Sequence, residues 1–248
     1  MVENYKNQKS CLGAFFFPGW AMPSDKNLAR RLLPEIISPL ELCDYGFFAG
    51  SGKFDFTNAE SEIEKLAGHR HEVAVGYSLG SQFALRMALD KRNKNLKALI
   101  IISGFAKFAE SEDNPSGQKR SGIKTMLTGM RVHPSKVLRE FYRLSFGAAK
   151  QMMDSDSPIP NPSTMIDGLK YLLDCDISDE VGAIKVPTLI IAGEDDVIVK
   201  PSLSRSLSEM ISGSVFVVIP KVGHSLPFSK TDEIRKTINE FMREKNIF

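Results

Sequence analysis

The segment Glu72–Lys91, EVAVGYSLGSQFALRMALDK, joins two structural patterns without a break. Its start, Glu72–Gly76, is a short and mostly apolar run that ends at a glycine, which is typical of a buried strand. Apolar residues then recur with helical spacing over Gly80–Asp90. A strand that turns directly into a helix predicts a sheet with helices packed against it.

The same alternation of strand and helix patterns continues along the chain in both directions. Thr57 and Glu60 also have the spacing of a capping box at a helix start. Further strands are predicted at Leu12–Phe17, Leu96–Ser103, Thr188–Ala192 and Ser214–Ile219. Further helices are predicted at Asp25–Ile36, Thr57–Ala67, Ser202–Ile211 and Thr231–Lys245. We therefore expect the α/β fold class, with a mostly parallel sheet flanked by helices.

One interval, Gly104–Val186, is too long for a simple crossover, which needs only about a dozen residues. It contains amphipathic patterns that predict helices at Lys119–Arg131, Pro134–Lys150 and Ser163–Leu173, and a final crossover helix near Ile177–Ile184. We interpret residues 105–175 as an inserted helical cap, or lid. Residues 1–104 and 176–248 then form the core.

Net charge, cysteine content and the length of the apolar runs restrict the classes of protein to which this chain can belong. The chain has 248 residues and 32 basic against 30 acidic side chains, a net charge of +2 that excludes nucleic-acid binding driven by bulk charge. Cys11, Cys43 and Cys175 are an odd number without a CxxC pair, which favours a reducing cytoplasm over a disulfide framework. No apolar run approaches the about 18 residues of a membrane span. We expect a cytoplasmic monomer with neither a nucleic-acid nor a membrane partner.

The turn between the predicted strand and helix, Gly76-Tyr77-Ser78-Leu79-Gly80, matches G-x-S-x-G. Between a strand and a helix this pattern is typical of a nucleophile elbow, in which a strained turn presents the serine hydroxyl at the sheet edge. Small residues are needed two positions before and after the serine. Ser78 is therefore the predicted nucleophile.

A serine hydroxyl needs a base to accept its proton, and the chain contains four histidines. His69 and His71 precede the strand that leads to Ser78, so they belong at the opposite end of the sheet. His133 lies in the predicted cap. His224 follows the last strand by a short loop, at the same edge as Ser78, and is the predicted base.

The imidazole in turn needs a carboxylate that orients it and stabilises its cation. The loop after Thr188–Ala192 contains Glu194, Asp195 and Asp196, and the residues alone do not choose among them. The developing oxyanion needs two backbone N–H donors. One is expected from the residue after the nucleophile, Leu79, and the other from the loop after the first strand, at Trp20.

Five blocks of the sequence, together spanning nearly its whole length, resemble the α/β-hydrolase superfamily. They are FFFPGWAM, VGYSLGS, LIIISG, PTLIIAGEDDVIV and VGHSLPF. The order serine, acid, histidine is also that of the family. In the family's acid loop the carboxylate usually stands three residues after the glycine, so the resemblance implies Asp196.

Within that superfamily, PGWAM, GYSLG, ISGFAKF and VLREFYRLSF are similar to the pimeloyl-acyl-carrier-protein methyl ester esterases of biotin synthesis. This resemblance implies hydrolysis of the methyl ester at the end of a pimeloyl chain carried by acyl-carrier protein. Ser78, Asp196 and His224 would act through an acyl-enzyme, with Trp20 and Leu79 at the oxyanion hole. Neither a cofactor nor a metal is expected.

Charge in the predicted cap agrees with an acidic carrier protein. In the part of the predicted cap from Lys119 to Lys150, a single acid, Glu140, stands among eight basic residues: Lys119, Arg120, Lys124, Arg131, Lys136, Arg139, Arg143 and Lys150. A basic surface steers and orients an acidic partner, although charge runs are commonly just solvated helix faces. The predicted carrier-binding residues are Lys124, Arg131, Arg139 and Arg143.

Three alternatives remain open at this point. A general short-chain carboxylesterase or lactonase would use the same triad on free substrates, without needing a basic cap. A carbon–carbon bond hydrolase or lyase of the menaquinone or aromatic-degradation type could hold an anionic small molecule under that cap. A catalytically inactive α/β-hydrolase could serve as a binding module, since fold alone does not determine function.

Overall fold

The computed structural model describes residues 11–50, 52–146 and 159–248. Residues 1–10 of the predicted core and the end of the predicted helix Pro134–Lys150, including Lys150, lie outside the described residues.

The described strands form one sheet in which every neighbouring pair is parallel. They are β1 (Leu12–Phe17), β2 (Ile37–Leu42), β3 (Val73–Tyr77), β4 (Ala98–Ile102), β5 (Thr188–Gly193) and β6 (Val215–Ile219). Their order is β2-β1-β3-β4-β5-β6, so the direction of winding reverses between β1 and β3. Such a reversal opens a crevice at the carboxyl ends of the two strands, where α/β proteins bind ligands.

Helices cover both faces of the sheet. They are α1 (Lys26–Leu32), α2 (Ala59–Leu66), α3 (Leu79–Leu89), α4 (Arg120–Val132), α5 (Pro134–Phe146), α6 (Pro162–Asp174), α7 (Pro201–Met210), α8 (Leu226–Ser229) and α9 (Thr231–Glu244). Strand side chains alternate between two apolar clusters, with Leu99 and Ile101 on the side of α2, α3 and α7, and Ile100 and Ile102 on the side of α1 and α9. The expected α/β class, with helices on both faces of a parallel sheet, is confirmed.

The segment between β4 and β5 contains α4, α5 and α6, close to the three helices expected there. It is attached to the loop after β2 by two backbone hydrogen bonds of 2.7 Å, from Ala49 N to Ile159 O and from Asn161 N to Phe47 O. These bonds place the start of α6 above the carboxyl edge of the sheet.

Three local expectations were wrong. The helix predicted at Asp25–Ile36 ends at Leu32, and the chain then forms β2, an edge strand that tolerates Pro39 because one of its sides has no strand partner among the described residues. The capping box is replaced by Asp55, whose carboxylate accepts hydrogen bonds from the backbone N–H and the hydroxyl of Thr57. The predicted crossover helix near Ile177–Ile184 is only a short 3-10 turn.

None of the helices in the described ranges has the length and apolar character of a membrane-spanning helix.

The contact between α3 and β1 leaves no room for a side chain at Gly80. A Cβ atom there would overlap the carbonyl oxygen of Phe17 and lie 2.6 Å from that of Pro18. We expect Gly80→Ala to lower the free energy of unfolding by about 3 kcal/mol, because neither backbone group can move aside. Chemical denaturation of the wild type and the variant measures the difference in the free energy of unfolding.

Gly122, in α4, is the matched control because a Cβ atom at this position would have no heavy atom within 4 Å. Gly122→Ala should raise the free energy of unfolding by up to about 1 kcal/mol, as alanine does within a helix. A Gly80→Ala protein as stable as the wild type would contradict the close packing of α3 on β1.

Candidate active site

Ser78 lies at the junction of β3 and α3 with a backbone that L-residues rarely adopt, φ 53° and ψ −122°. Such a conformation costs roughly 1–3 kcal/mol and persists only where the surroundings enforce it. Here Ser78 N donates to Ile102 O at 3.0 Å, and Ser78 O accepts from Ser81 N at 2.9 Å. A Cβ at Gly76 would lie 2.7 Å from Gly80 O, which explains the need for glycine on the strand side of the turn.

His224 lies beside Ser78, although the two are far apart in sequence. The distance from His224 Nε2 to Ser78 Oγ is 3.0 Å. Both residues are buried, with His224 3% and Ser78 7% exposed. Tyr77, next to the nucleophile, donates its hydroxyl to His224 O at 2.7 Å and packs its ring 5.1 Å from the imidazole centroid. Burial keeps the pKa of Tyr77 well above its usual value, so its hydroxyl remains a donor.

Asp196 lies on the far side of the imidazole, with Oδ2 2.8 Å from His224 Nδ1. Its Oδ1 accepts from the backbone N–H groups of Ile198 at 2.9 Å and Val199 at 2.8 Å. The hydroxyl of Ser103, which follows β4, donates to Oδ2 at 2.9 Å. Both carboxylate oxygens are therefore held in place and the carboxylate cannot rotate away from His224.

The structure separates Asp196 from the other two acids of its loop. Asp196 is 3% exposed, whereas Glu194 and Asp195 are exposed to solvent. Glu194 accepts a hydrogen bond from Lys221 N at 3.1 Å. The chain of hydrogen bonds among the buried groups therefore runs from Ser78 through His224 to Asp196.

The remaining histidines lie elsewhere. His69 and His71 precede β3, at the opposite end of the sheet from Ser78. A nitrogen of His69 lies 2.9 Å from Asp90 Oδ2, and His71 Nδ1 donates to Ala67 O at 3.0 Å. Burial lowers the pKa of His71. His133 follows α4 and is exposed.

The loop after β1 and the start of α3 bring two backbone donors to the same edge. Leu79 is the first residue of α3, and Trp20 lies in the turn after β1. Neither backbone N–H has a hydrogen-bond partner among residues 11–50, 52–146 and 159–248. The Trp20 indole donates to Met165 O at 2.8 Å and has no acceptor atom with which to occupy the backbone N–H. Both N–H groups are free to bind an oxyanion.

The predicted carrier-binding residues lie on α4 and α5 and are exposed. Lys124, Arg131 and Arg139 form no ion pair with any described residue. Arg143 differs, because its guanidinium donates to both oxygens of Glu140 at 2.9 and 2.7 Å. Of these four residues, the first three therefore carry a positive charge without an ion-pair partner in the described ranges.

Sequence patterns did not reveal Ser103 or Tyr77 as parts of the site. Ser103 comes directly after a buried strand, and only the fold brings it to Asp196. Tyr77 occupies a variable position of the G-x-S-x-G pattern. In the part of the chain that the structure describes, no group of three or more His, Cys, Asp or Glu side chains is arranged to hold a metal ion.

Comparison with known proteins agrees with the fold of the chain. A family model described as alpha/beta hydrolase fold matches residues 59–231. A pimeloyl-[acyl-carrier protein] methyl ester esterase from Nitrosospira multiformis is 24% identical, covering 91% of this chain and 92% of that protein. The same-named protein from Aliivibrio salmonicida is 23% identical, covering 86% and 84%. The solved structure of an esterase from Exiguobacterium antarcticum is similar in fold, with a TM-score of 0.77 at 19% identity over 94% and 92% of the chains.

Replacing the nucleophile should remove the reactivity of the site. We expect Ser78→Ala to abolish covalent labelling by a fluorophosphonate probe, and His224→Ala to slow it by about 10³-fold or more because the two act as a unit. Ser81→Ala is the matched control, since Ser81 is buried one turn further along α3 and should retain full labelling. Labelling of Ser78→Ala at the wild-type rate would contradict the assignment.

The acid is tested by two neighbouring substitutions. Asp196→Asn should slow labelling by about 10³- to 10⁴-fold, because the imidazole loses the partner that sets its tautomer. Asp195→Asn should change the rate little, because that side chain is exposed. If Asp195→Asn is the slower variant, the proposed role of Asp196 is wrong.

Proposed function

Because this chain belongs to the α/β-hydrolase fold family and is a hydrolase that acts on ester bonds, we propose that its substrate is the methyl ester of a pimeloyl chain carried by acyl-carrier protein, cleaved during biotin synthesis. The observation that carries the proposal is the buried hydrogen-bonded series of Ser78, His224 and Asp196 in a chain that also presents a basic helical surface. The names of the relatives point to the same substrate.

In the proposed first half-reaction, Ser78 Oγ attacks the ester carbonyl carbon while His224 Nε2 accepts the hydroxyl proton. The carbonyl oxygen becomes an oxyanion, to which the backbone N–H groups of Trp20 and Leu79 donate hydrogen bonds. When the tetrahedral intermediate collapses, the methoxy oxygen takes the proton from His224 and methanol leaves. The acyl chain is then an ester of Ser78.

In the second half-reaction His224 accepts a proton from water, whose oxygen attacks the Ser78 ester. The new tetrahedral intermediate collapses with return of the proton to Ser78 Oγ, and the products are the free enzyme and a carboxylic acid that ionises. Asp196 orients the imidazole and stabilises its cation in both halves. All of these steps use water and groups of this chain.

We also propose that residues 105–175 act as a cap that binds the acidic carrier. Lys124, Arg131 and Arg139 support this, because their charges are exposed and unpaired within the described residues. Where α4 meets α5 there is a surface concavity of about 500 Å³ lined by Val132, Lys136 and Arg139 among others, and Val132 is 64% exposed. Cations around an apolar side chain suit an acidic protein surface, where charge steers the encounter.

Arg143 contributes less to this surface than the sequence predicted. Its ion pair with Glu140 cancels its charge locally, and both side chains are more than half exposed. An exposed pair of this kind is worth less than about 1 kcal/mol, so a partner could break it. We therefore assign the main steering role to Lys124, Arg131 and Arg139.

Charge reversal on the cap tests whether an acidic carrier protein binds there. Arg131→Glu combined with Arg139→Glu should lower kcat/KM for the carrier-linked methyl ester by about tenfold or more at low salt. The kcat/KM for p-nitrophenyl butyrate should remain unchanged, because the triad does not depend on outer charges. Raising the salt concentration should reduce the difference between wild type and variant, since screening acts over about 8 Å at physiological ionic strength.

Lys94→Glu is the control, because Lys94 is an exposed residue between α3 and β4, at the opposite end of the sheet. It makes the same change of charge per site and should leave both activities as in the wild type. Equal losses on the carrier-linked and the free ester in the cap variant would contradict the carrier assignment. A general short-chain carboxylesterase or lactonase would then be the better description.

A further inference from the structure

The loop after β1, residues 18–21, which we call the oxyanion loop, contains a second strained backbone position. Ala21 has φ 55°, in the left-handed region, and is completely buried. For a residue with a Cβ atom this conformation costs roughly 1–2 kcal/mol. The loop keeps this shape only if other groups hold it.

Two buried hydrogen bonds from the inserted helices hold the oxyanion loop. The hydroxyl of Tyr142, on α5, donates to Ala21 O at 2.7 Å. The indole Nε1 of Trp20 donates to Met165 O, on α6, at 2.8 Å. The backbone turn inside the loop, from Met22 N to Gly19 O, is longer at 3.3 Å. The two shorter hydrogen bonds that restrain this loop are therefore those with α5 and α6.

Packing brings the same two helices against Trp20. Phe141, next to Tyr142, meets the indole edge to face with ring centroids 4.8 Å apart. On α6, a Cβ at Gly168 would lie 3.0 Å from Trp20 Cδ1, so the glycine is what lets the helix approach so closely. The Trp20 side chain is thus enclosed on two sides.

The chemistry of Tyr142 suits a fixed donor. Burial raises the pKa of its phenol to about 12, so the hydroxyl keeps its proton throughout the range in which an esterase is assayed. Its bond to Ala21 O joins positions far apart in sequence, on α5 and on the loop after β1. The backbone N–H of Trp20 belongs to the residue whose side chain is bound to α6, and the next residue carries the carbonyl that is bound to α5.

We propose that Tyr142 is a positioning residue for the oxyanion: its hydroxyl fixes the Ala21 carbonyl so that the Trp20 backbone N–H points at the developing negative charge. The inference rests on the proposed function, because it assumes that Trp20 and Leu79 stabilise the tetrahedral intermediate. Tyr142 does not itself touch the reacting atoms. It links the arrangement of α5 to the rate of the chemical step.

A donor that shifts slightly from its place loses much of its effect on the transition state while the ground state binds as before. Removing an oxyanion donor outright costs about 10²- to 10³-fold in kcat. Tyr142→Phe keeps the backbone N–H of Trp20 but removes one of the hydrogen bonds that hold its loop in place. We expect kcat to fall by about tenfold and KM to change by less than about twofold.

The test compares Tyr142→Phe with Tyr171→Phe. Tyr171, on α6, also has a mostly buried hydroxyl, which accepts a hydrogen bond from Arg86 Nε at 3.0 Å, away from the oxyanion loop. The measurements are kcat and KM for p-nitrophenyl butyrate, the Kd of butylboronic acid, which forms a tetrahedral adduct with an active serine, and the melting temperature. Only Tyr142→Phe should lose kcat and boronate affinity, each by about tenfold, whereas both variants should lose some thermal stability.

A kcat for Tyr142→Phe within twofold of the wild type would overturn the proposal. Equal losses of kcat and boronate affinity in both tyrosine variants would also overturn it, because they would show general loosening. The small ester keeps this test separate from the carrier assignment. A wild type that cleaves p-nitrophenyl butyrate but not the carrier-linked ester would contradict the proposed substrate and leave the Tyr142 comparison decisive.

Discussion

The strained backbone of Ser78 is the constraint on which the rest of the site depends. The turn from β3 into α3 places this residue at φ 53°, and glycine at positions 76 and 80 is what allows the turn to close against β1. The energy of burying the central strands and α3 far exceeds the roughly 1–3 kcal/mol that the strain costs. The core therefore holds the hydroxyl at the carboxyl edge of the sheet, where the loops that follow β1, β4, β5 and β6 meet it.

Those loops are held by bonds that cross the molecule. Asp196 is fixed by the backbone of its own loop and by Ser103, and Tyr77 fixes the backbone of His224. The loop after β1 has Ala21 in a left-handed conformation and depends on α5 and α6 instead. The helices between β4 and β5 are thus part of the architecture of the site. A partner that binds α4 and α5 would act on a surface connected to the oxyanion loop through Tyr142.

Sequence patterns predicted the elements that form from neighbouring residues, such as strands and helices. They did not predict contacts between residues that are far apart in the sequence. The sheet and most of its helices follow from apolar periodicity, whereas Asp196 was chosen from three neighbouring acids by family resemblance alone. The structure places Ser78, His224 and Asp196 within hydrogen-bond distance. Their chemical roles stay predictions. The strand β2 was missed because Pro39 argues against a central strand, although an edge accepts it. Ser103 and Tyr142 carry no local signal, since their partners are brought to them only by the fold.

Trapping the covalent intermediate tests the central claim most directly. If Ser78 attacks the ester of a carrier-linked chain, the intermediate is this protein joined to the acyl-carrier protein through the acyl group. The wild type is mixed with pimeloyl-acyl-carrier-protein methyl ester, quenched with acid and examined by intact mass and peptide mapping. The mass of the adduct should equal the mass of this protein plus that of the carrier protein with its methyl ester, minus methanol. Peptide mapping should place the acyl group on Ser78. An adduct on another residue, or turnover of the methyl ester by the Ser78→Ala protein at the wild-type rate, would contradict the account.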